Sequence, residues 1–264
     1  MTRWAPRLTW DLAGVLLAQK LFGASRHPLA LHLDLAQYPA HSQVDSTDAT
    51  SSKPDLSRDS QALAAVRANP APFVWIGGDA PLRYPRIGQV ARQIISSGKI
   101  VFVEMDGALL RRRIHEFRPE SSLYLVLPLH GLEAAHDLRA GRAGNFRATV
   151  ESIRTARLSG FHICVETTLS ADMDLSELRE LGEFISKLGV DGWIQKSSSG
   201  AEAAQLSADK IAEARQLISG WRWQTLSQLF DLSRAAHQPR FENKIPVKHV
   251  DSKMPASREG VSAL

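Results

Sequence analysis

Six short apolar runs, each ended by a turn-forming or polar group and each followed by a helical or polar stretch, restrict what this chain can fold into more than any other feature. They are Pro28–Leu35, Phe73–Ile76, Ile100–Glu104, Leu123–Leu127, Phe161–Val165 and Val190–Gln195. Runs this brief, bounded by breakers, read as strands. Between them lie helical patterns over Ile87–Ser96, Ala108–Phe117 and Arg147–Leu158, and another that Asp174 or Ser176 caps and that runs to Leu188. Strands that alternate with helices imply a parallel sheet with crossover helices. Six such units suit a partial (β/α) barrel or a doubly wound sheet.

Outside these units the chain is organised by composition. Leu8–Phe22 is an apolar helical stretch with Thr9 as a possible N-cap and Gly23 as a stop, and it defines an N-terminal helix within residues 1–27. It is too short to span a bilayer. Asp11 argues against a signal peptide despite Arg3 and Arg7 ahead of it. The plain reading is a helix packed on the domain. The sharper one is a peripheral membrane contact through residues 8–22, with Arg3, Arg7, Lys20 and Arg26 as basic flanks. Residues 41–61 form a polar loop rich in Ser, Thr and Asp, with a short helix expected over Ala62–Val66. Residues 28–200 are read as the barrel, 201–236 as C-terminal helices (Ser207–Ile218 and Thr225–Ala236), and 237–264 as a loosely ordered tail.

With 264 residues and 44% apolar content, the chain can bury a full core. A net charge of +4 permits anionic ligands or membrane surfaces, and no nucleic-acid partner is expected. Cys164 is the one cysteine, so neither an intrachain disulfide nor an all-cysteine metal site can form. It sits in an apolar strand, which makes it a buried, inert thiol. No metal site is read from the sequence.

Polar groups that follow strands are the candidates for chemistry, because α/β folds place ligands at C-terminal strand ends. The second run leads into Gly77-Gly78-Asp79-Ala80-Pro81, where bare glycines let the backbone turn or approach a ligand. Asp106, His130 and Glu166 follow later strands. If they and Asp79 converge on one mouth, they can do acid–base work or hold a divalent metal. Each also has a bland reading: Asp79 and Asp106 as turn residues, His130 as a satisfied loop histidine, Glu166 as a solvated strand end. Arg139 or Arg142 can meet an acidic group on a ligand.

Together these pieces resemble the radical S-adenosylmethionine superfamily, and within it the branch that adenosylates hopenes in hopanoid biosynthesis. The resemblance covers roughly residues 10 to 235. Gly77-Gly78-Asp79-Ala80-Pro81 resembles the family's Gly-Gly-Glu-Pro motif. Asp106-Gly107 stands where the family often has Asn-Gly, and His130-Gly131 with His136-Asp137 is similar to its Asp-Gly turn and His-Asp pair. Glu166-Thr167-Thr168 and Val190-Asp191-Gly192 continue the order. The resemblance implies a partial (β/α)6 TIM-like barrel. It also implies a cofactor site at Gly77, Gly78 and Asp79, where Asp79 stands for the glutamate that contacts the amino group of S-adenosylmethionine.

One departure is chemical. The family holds a four-iron cluster with a Cys-x3-Cys-x2-Cys loop after its first strand, and here that place reads Gln37-Tyr38-Pro39-Ala40-His41-Ser42-Gln43. A cluster needs thiolates, so no 4Fe-4S cluster is expected and radical cleavage is unsupported. Three readings follow. The first is a cluster-less pseudoenzyme acting through a protein partner, such as an active homologue. The second is a binding module for S-adenosylmethionine or a similar small molecule. The third is a non-radical enzyme using Asp106, His130 and Glu166. A cytoplasmic location, with possible membrane association, is expected.

Overall fold

The computed structural model describes residues 6–22, 29–35, 56–77, 84–197, 207–218 and 220–236. Gly78, Asp79, the polar loop up to residue 55 and the tail from residue 237 lie outside them. The elements alternate as the apolar runs require. They are α1 (Pro6–Phe22), β1 (Ala30–Asp34), α2 (Leu56–Ala68), β2 (Phe73–Gly77), α3 (Ile87–Ser96), β3 (Ile100–Glu104), α4 (Gly107–Arg113) and β4 (Leu123–Pro128). After these come α5 (Glu133–Arg139), α6 (Asn145–Leu158), β5 (His162–Leu169), α7 (Leu175–Leu188), β6 (Gly192–Ser197), α8 (Ala208–Gln216) and α9 (Trp221–Ala236).

The strands are all parallel and lie in the order β1-β2-β3-β4-β5-β6. A doubly wound sheet would break that order at a switch point. Strictly sequential pairing with crossovers of one hand puts the helices on one face and curls the sheet. The result is the half-barrel expected, and the doubly wound alternative is set aside. The covering helices bury one stripe each: Ile87, Val90, Ala91 and Ile94 on α3, and Leu178, Leu181, Ile185 and Leu188 on α7. Gly189 ends α7 at φ 64°, a left-handed C-cap that glycine adopts without steric cost.

The inner face carries rings. Register pairs Trp75 with Phe102, Phe102 with Tyr124, and Tyr124 with His162. Those rings stack at centroid separations of 5.5, 5.0 and 5.3 Å. From α9, Phe230 meets Trp75 edge-on at 4.7 Å and Phe102 at 5.5 Å. Trp223 of the same helix lies on Gly192, where a Cβ would come within 2.2 Å of the indole. Helix α9 also packs against both edge strands, β1 and β6. It therefore closes the gap a half-barrel leaves between its edges. Cys164 is buried on β5, and burial pushes its thiol well above the ordinary range, as expected of an inert cysteine.

Several bounds differ from the sequence reading, each for a local reason. Helix α2 begins at Leu56, inside the stretch read as loop. Its Asp59 is buried, accepts from the Tyr84 hydroxyl and pairs with Arg86 Nε at 3.1 Å, so a polar sequence becomes helical by tertiary contact. Helix α5 was not expected, since a stretch with one buried residue, His136, carries almost no periodic signal. Strand β5 runs on through Thr167 to Leu169, and β6 continues to Ser197. Helix α1 rests on the core through Leu12 and leaves Trp10, Leu17 and Leu21 60–78% exposed. Among the described residues no helix is long and apolar enough to cross a membrane.

Because Phe230 joins the ring stack to α9, Phe230→Ala is expected to cost about 3–5 kcal/mol of stability, read from urea unfolding. A loss below about 1 kcal/mol would show that α9 is not part of the core.

Candidate functional site

At the C-terminal ends of the strands the inner face changes from rings to charges. Lys196 on β6 carries an ammonium that is 5% exposed. It pairs with Glu104, lies 2.5 Å from Glu166 Oε2, and sits 4.2 Å from the Trp75 ring centroid. The Trp75 indole Nε1 donates to Glu104 Oε1 at 2.6 Å. In a flat sheet β6 and β2 would lie about 19 Å apart, well beyond a lysine's reach, so the contact exists only because the sheet curls. Gly77 contributes by lacking a side chain: a Cβ there would fall 2.5 Å from Glu104 Oε2.

Beside this clasp opens a cleft of ≈ 420 Å³, within the range of small-molecule sites. Glu104, Asp106, His130, Asn145, Glu166 and Thr168 are among its lining residues. The structure therefore brings Asp106, His130 and Glu166 to one place. Asp106 is the exposed residue before α4. Glu166 is not at a strand end as expected but inside β5, on the clasp. Gly107 fits the turn because a Cβ would come 2.7 Å from Thr149 Cα of α6, where Ser152 Oγ donates to the Gly107 carbonyl at 2.5 Å.

The histidine pair is held neutral. Burial, helped by the nearby His136, Arg139 and Lys196, pushes His130 down to about 4. Burial lowers His136 as well, with Asp137 opposing. The His130 amide N–H donates to His136 Nδ1 at 3.1 Å, and the Asn145 Nδ2 lies 3.0 Å from His136 Nε2. Asp137 caps α6, accepting from the Phe146 and Gly144 N–H groups at 2.7 and 2.6 Å. Those bonds hold its carboxyl below the usual range.

Other expected residues have structural roles. Arg139 does not await a ligand: it is bidentate to Glu177 at 2.6 and 3.1 Å and donates to the His130 carbonyl. Arg142 is on an exposed turn after α5. Glu104, Lys196 and Trp75 were not singled out from the sequence. A lysine near the end of β6 and a glutamate closing the apolar run of β3 were the available signals.

The donor set decides what the site can hold. A 4Fe-4S cluster does not fit, since the chain's one cysteine is a buried thiol in β5. Among the described residues no group of three or more His, Cys, Asp or Glu is placed to hold a metal ion. S-adenosylmethionine carries an ammonium, a sulfonium and a carboxylate, with a net positive charge. Among the described residues the mouth sets Glu104, Glu166 and Asp106 beside the Lys196 ammonium, a donor set that suits the two cationic groups.

No family model matches the chain. A stretch of 121 residues, 45% of the chain, is 29% identical to the AdoMet-dependent heme synthase of Methanosarcina barkeri, and it spans only 34% of that relative. The fold is similar to a TYW1 structure with a lysine-pyruvate adduct bound (TM-score 0.51, 14% identity, 81% of each chain). It is also similar to Streptococcus suis SuiB bound to S-adenosylmethionine (TM-score 0.53, 15% identity, 72% of this chain and 46% of that one). At such identities the structural likeness establishes the half-barrel fold. With the heme synthase match it supports the radical S-adenosylmethionine superfamily.

Lys196→Met would remove the ammonium that pairs with Glu104 and Glu166. A loss of about 3 kcal/mol in urea unfolding is expected, the low end for a broken buried pair because Glu104 remains partly exposed. The neutral histidines give a pH dependence of defined sign. Between pH 6.5 and about 4 the unfolded chain takes up a proton that folded His130 does not, so stability falls as pH drops through that window. His162 does not contribute there. Asp191 raises its pKa, so its share is fully present below pH 6.5 and is lost only above it. Melting temperatures from pH 7 to 4 should fall less steeply for His130→Asn than for the natural chain.

Proposed function

We propose that this protein is a cluster-less, radical S-adenosylmethionine-type half-barrel that binds a small cationic metabolite of the S-adenosylmethionine class without radical chemistry of its own. The observation that carries the reading is the set of carboxylates among the described residues of the mouth. Glu104, Glu166 and Asp106 stand beside the Lys196 ammonium on a cleft of ≈ 420 Å³. Glu104 is held by the Trp75 N–H and Asp106 lies at the cleft's exposed rim, so each can orient a cationic group. Thr168 and Asn145 add polar contacts for the rest of the ligand. The fold shared with SuiB, a protein whose structure holds S-adenosylmethionine, favours the same ligand class. Descent from the hopanoid-biosynthesis branch rests on the order of the motifs from Gly77 to Gly192.

The missing thiolates favour a pseudoenzyme, one whose activity is exerted through another protein such as an active homologue. The outward face of α1 suits contact with a partner or an anionic membrane, because Trp10, Leu17 and Leu21 stand out from it beside exposed Lys20. Acid–base catalysis by His130 is less favoured, since an imidazole held near 4 is a weak base at neutral pH.

Calorimetric titration with S-adenosylmethionine tests the reading. Saturable binding is expected, weakened at least about tenfold by Glu104→Gln or Asp106→Asn, as for loss of one charge-assisted contact. No heat in a protein shown folded by circular dichroism would overturn it. Flotation of the natural chain with phosphatidylglycerol vesicles, lost in Leu17→Ser/Leu21→Ser, is the expected result for membrane contact. Equal behaviour of the two would remove that role from α1.

A further inference from the structure

The seat of the Lys196 ammonium is built without help from the lysine. The Trp75 ring is fixed by stacking on Phe102 at 5.5 Å and by Phe230 edge-on at 4.7 Å. Its Nε1 holds Glu104 Oε1 at 2.6 Å, and the bare Cα of Gly77 leaves room for that carboxylate. Glu166 is set by its place inside β5, between β4 and β6. An aromatic face and two carboxylates directed at one point are the chemistry that recognises organic cations. Both carboxylates also line the cleft, so the seat borders it.

We infer that Trp75, Glu104 and Glu166 form a receptor for small organic ammonium or sulfonium groups, and that Lys196 is its resident occupant, displaced when such a group enters from the cleft. The inference rests on the reading of the mouth as a cation site, and it adds an internal competitor to it. Lysine suits this part because its flexible stem can release the ammonium toward the cleft, where Asp106 lines the rim. The aromatic wall favours an alkylated cation over a hydrated metal ion. A lysine held by its own protein sets a threshold: ligands must outbid a tethered ammonium, so weakly bound amines are rejected.

The test uses Lys196→Ala, which empties the seat. Its melting temperature should rise saturably with ethylammonium or trimethylsulfonium chloride and not with sodium chloride at equal ionic strength. Trp75→Leu placed in the same variant should abolish the rise. A rise matched by sodium chloride would overturn the proposal. Should Lys196→Ala not fold, the natural chain decides. Acetylation of Lys196 by N-hydroxysuccinimidyl acetate, mapped by peptide mass spectrometry, should be slow and should quicken several-fold with trimethylsulfonium but not with sodium. Unchanged reactivity would mean that Lys196 is a fixed clasp. The probes contain no adenosine, so failure to bind S-adenosylmethionine and failure of the cation seat are read separately.

Discussion

The curl of the sheet and the charge cluster in its mouth depend on each other. Lys196 on the last strand reaches Trp75 on the second and Glu104 on the third, contacts that span up to 121 residues of chain and require the two ends of the sheet to face one another. A parallel sheet with all its helices on one face must still fill its concave side. Here the filling is graded. Rings from four strands and Phe230 occupy the lower part, and the ammonium clasp occupies the upper part. The grading separates stability from recognition: the ring tier is packed side by side and covered by Phe230, whereas the polar tier borders a cleft.

Around that cleft the residues divide by whether they keep a charge. Burial holds His130 and His136 neutral, and their hydrogen bonds run to backbone and to Asn145. Asp137 is committed to the start of α6, and Arg139 to Glu177. Among the described residues, the charges that remain at the mouth are carboxylates with the Lys196 ammonium among them. A site of that composition selects by charge and shape. Of its described groups, His130 is held too far below neutral pH to serve as an efficient base there.

Much of the fold was legible in the sequence because it is written in local pattern. Apolar runs ended by breakers mark the strands, and stripes such as Ile87, Val90, Ala91 and Ile94 mark the helices. Where burial replaced pattern the reading failed. Residues 56–61 look like loop until Asp59 finds Tyr84 and Arg86. The site was half legible. Asp106, His130 and Glu166 could be placed on one rim by the rule that loops after parallel strands share an end. Lys196, Glu104 and Trp75 could not, since their meaning comes from a curl that brings distant strands together. Gly77 was read as a ligand cradle, and its geometry shows a further reason for the bare backbone: a neighbouring carboxylate needs the space.

Helix α9 has a consequence in time as well as in space. The ring tier on β2 to β5 is complete in sequence by His162, yet the Phe230 and Trp223 that cover it are made almost at the end of the described chain. During synthesis the concave aromatic face is therefore translated long before its cover, and domains exposing such surface are the ones that misassociate. A nascent half-barrel would have to remain loosely curled, or be shielded by chaperones, until α9 leaves the ribosome. Helix α9 then sets the moment at which the sheet closes on its core.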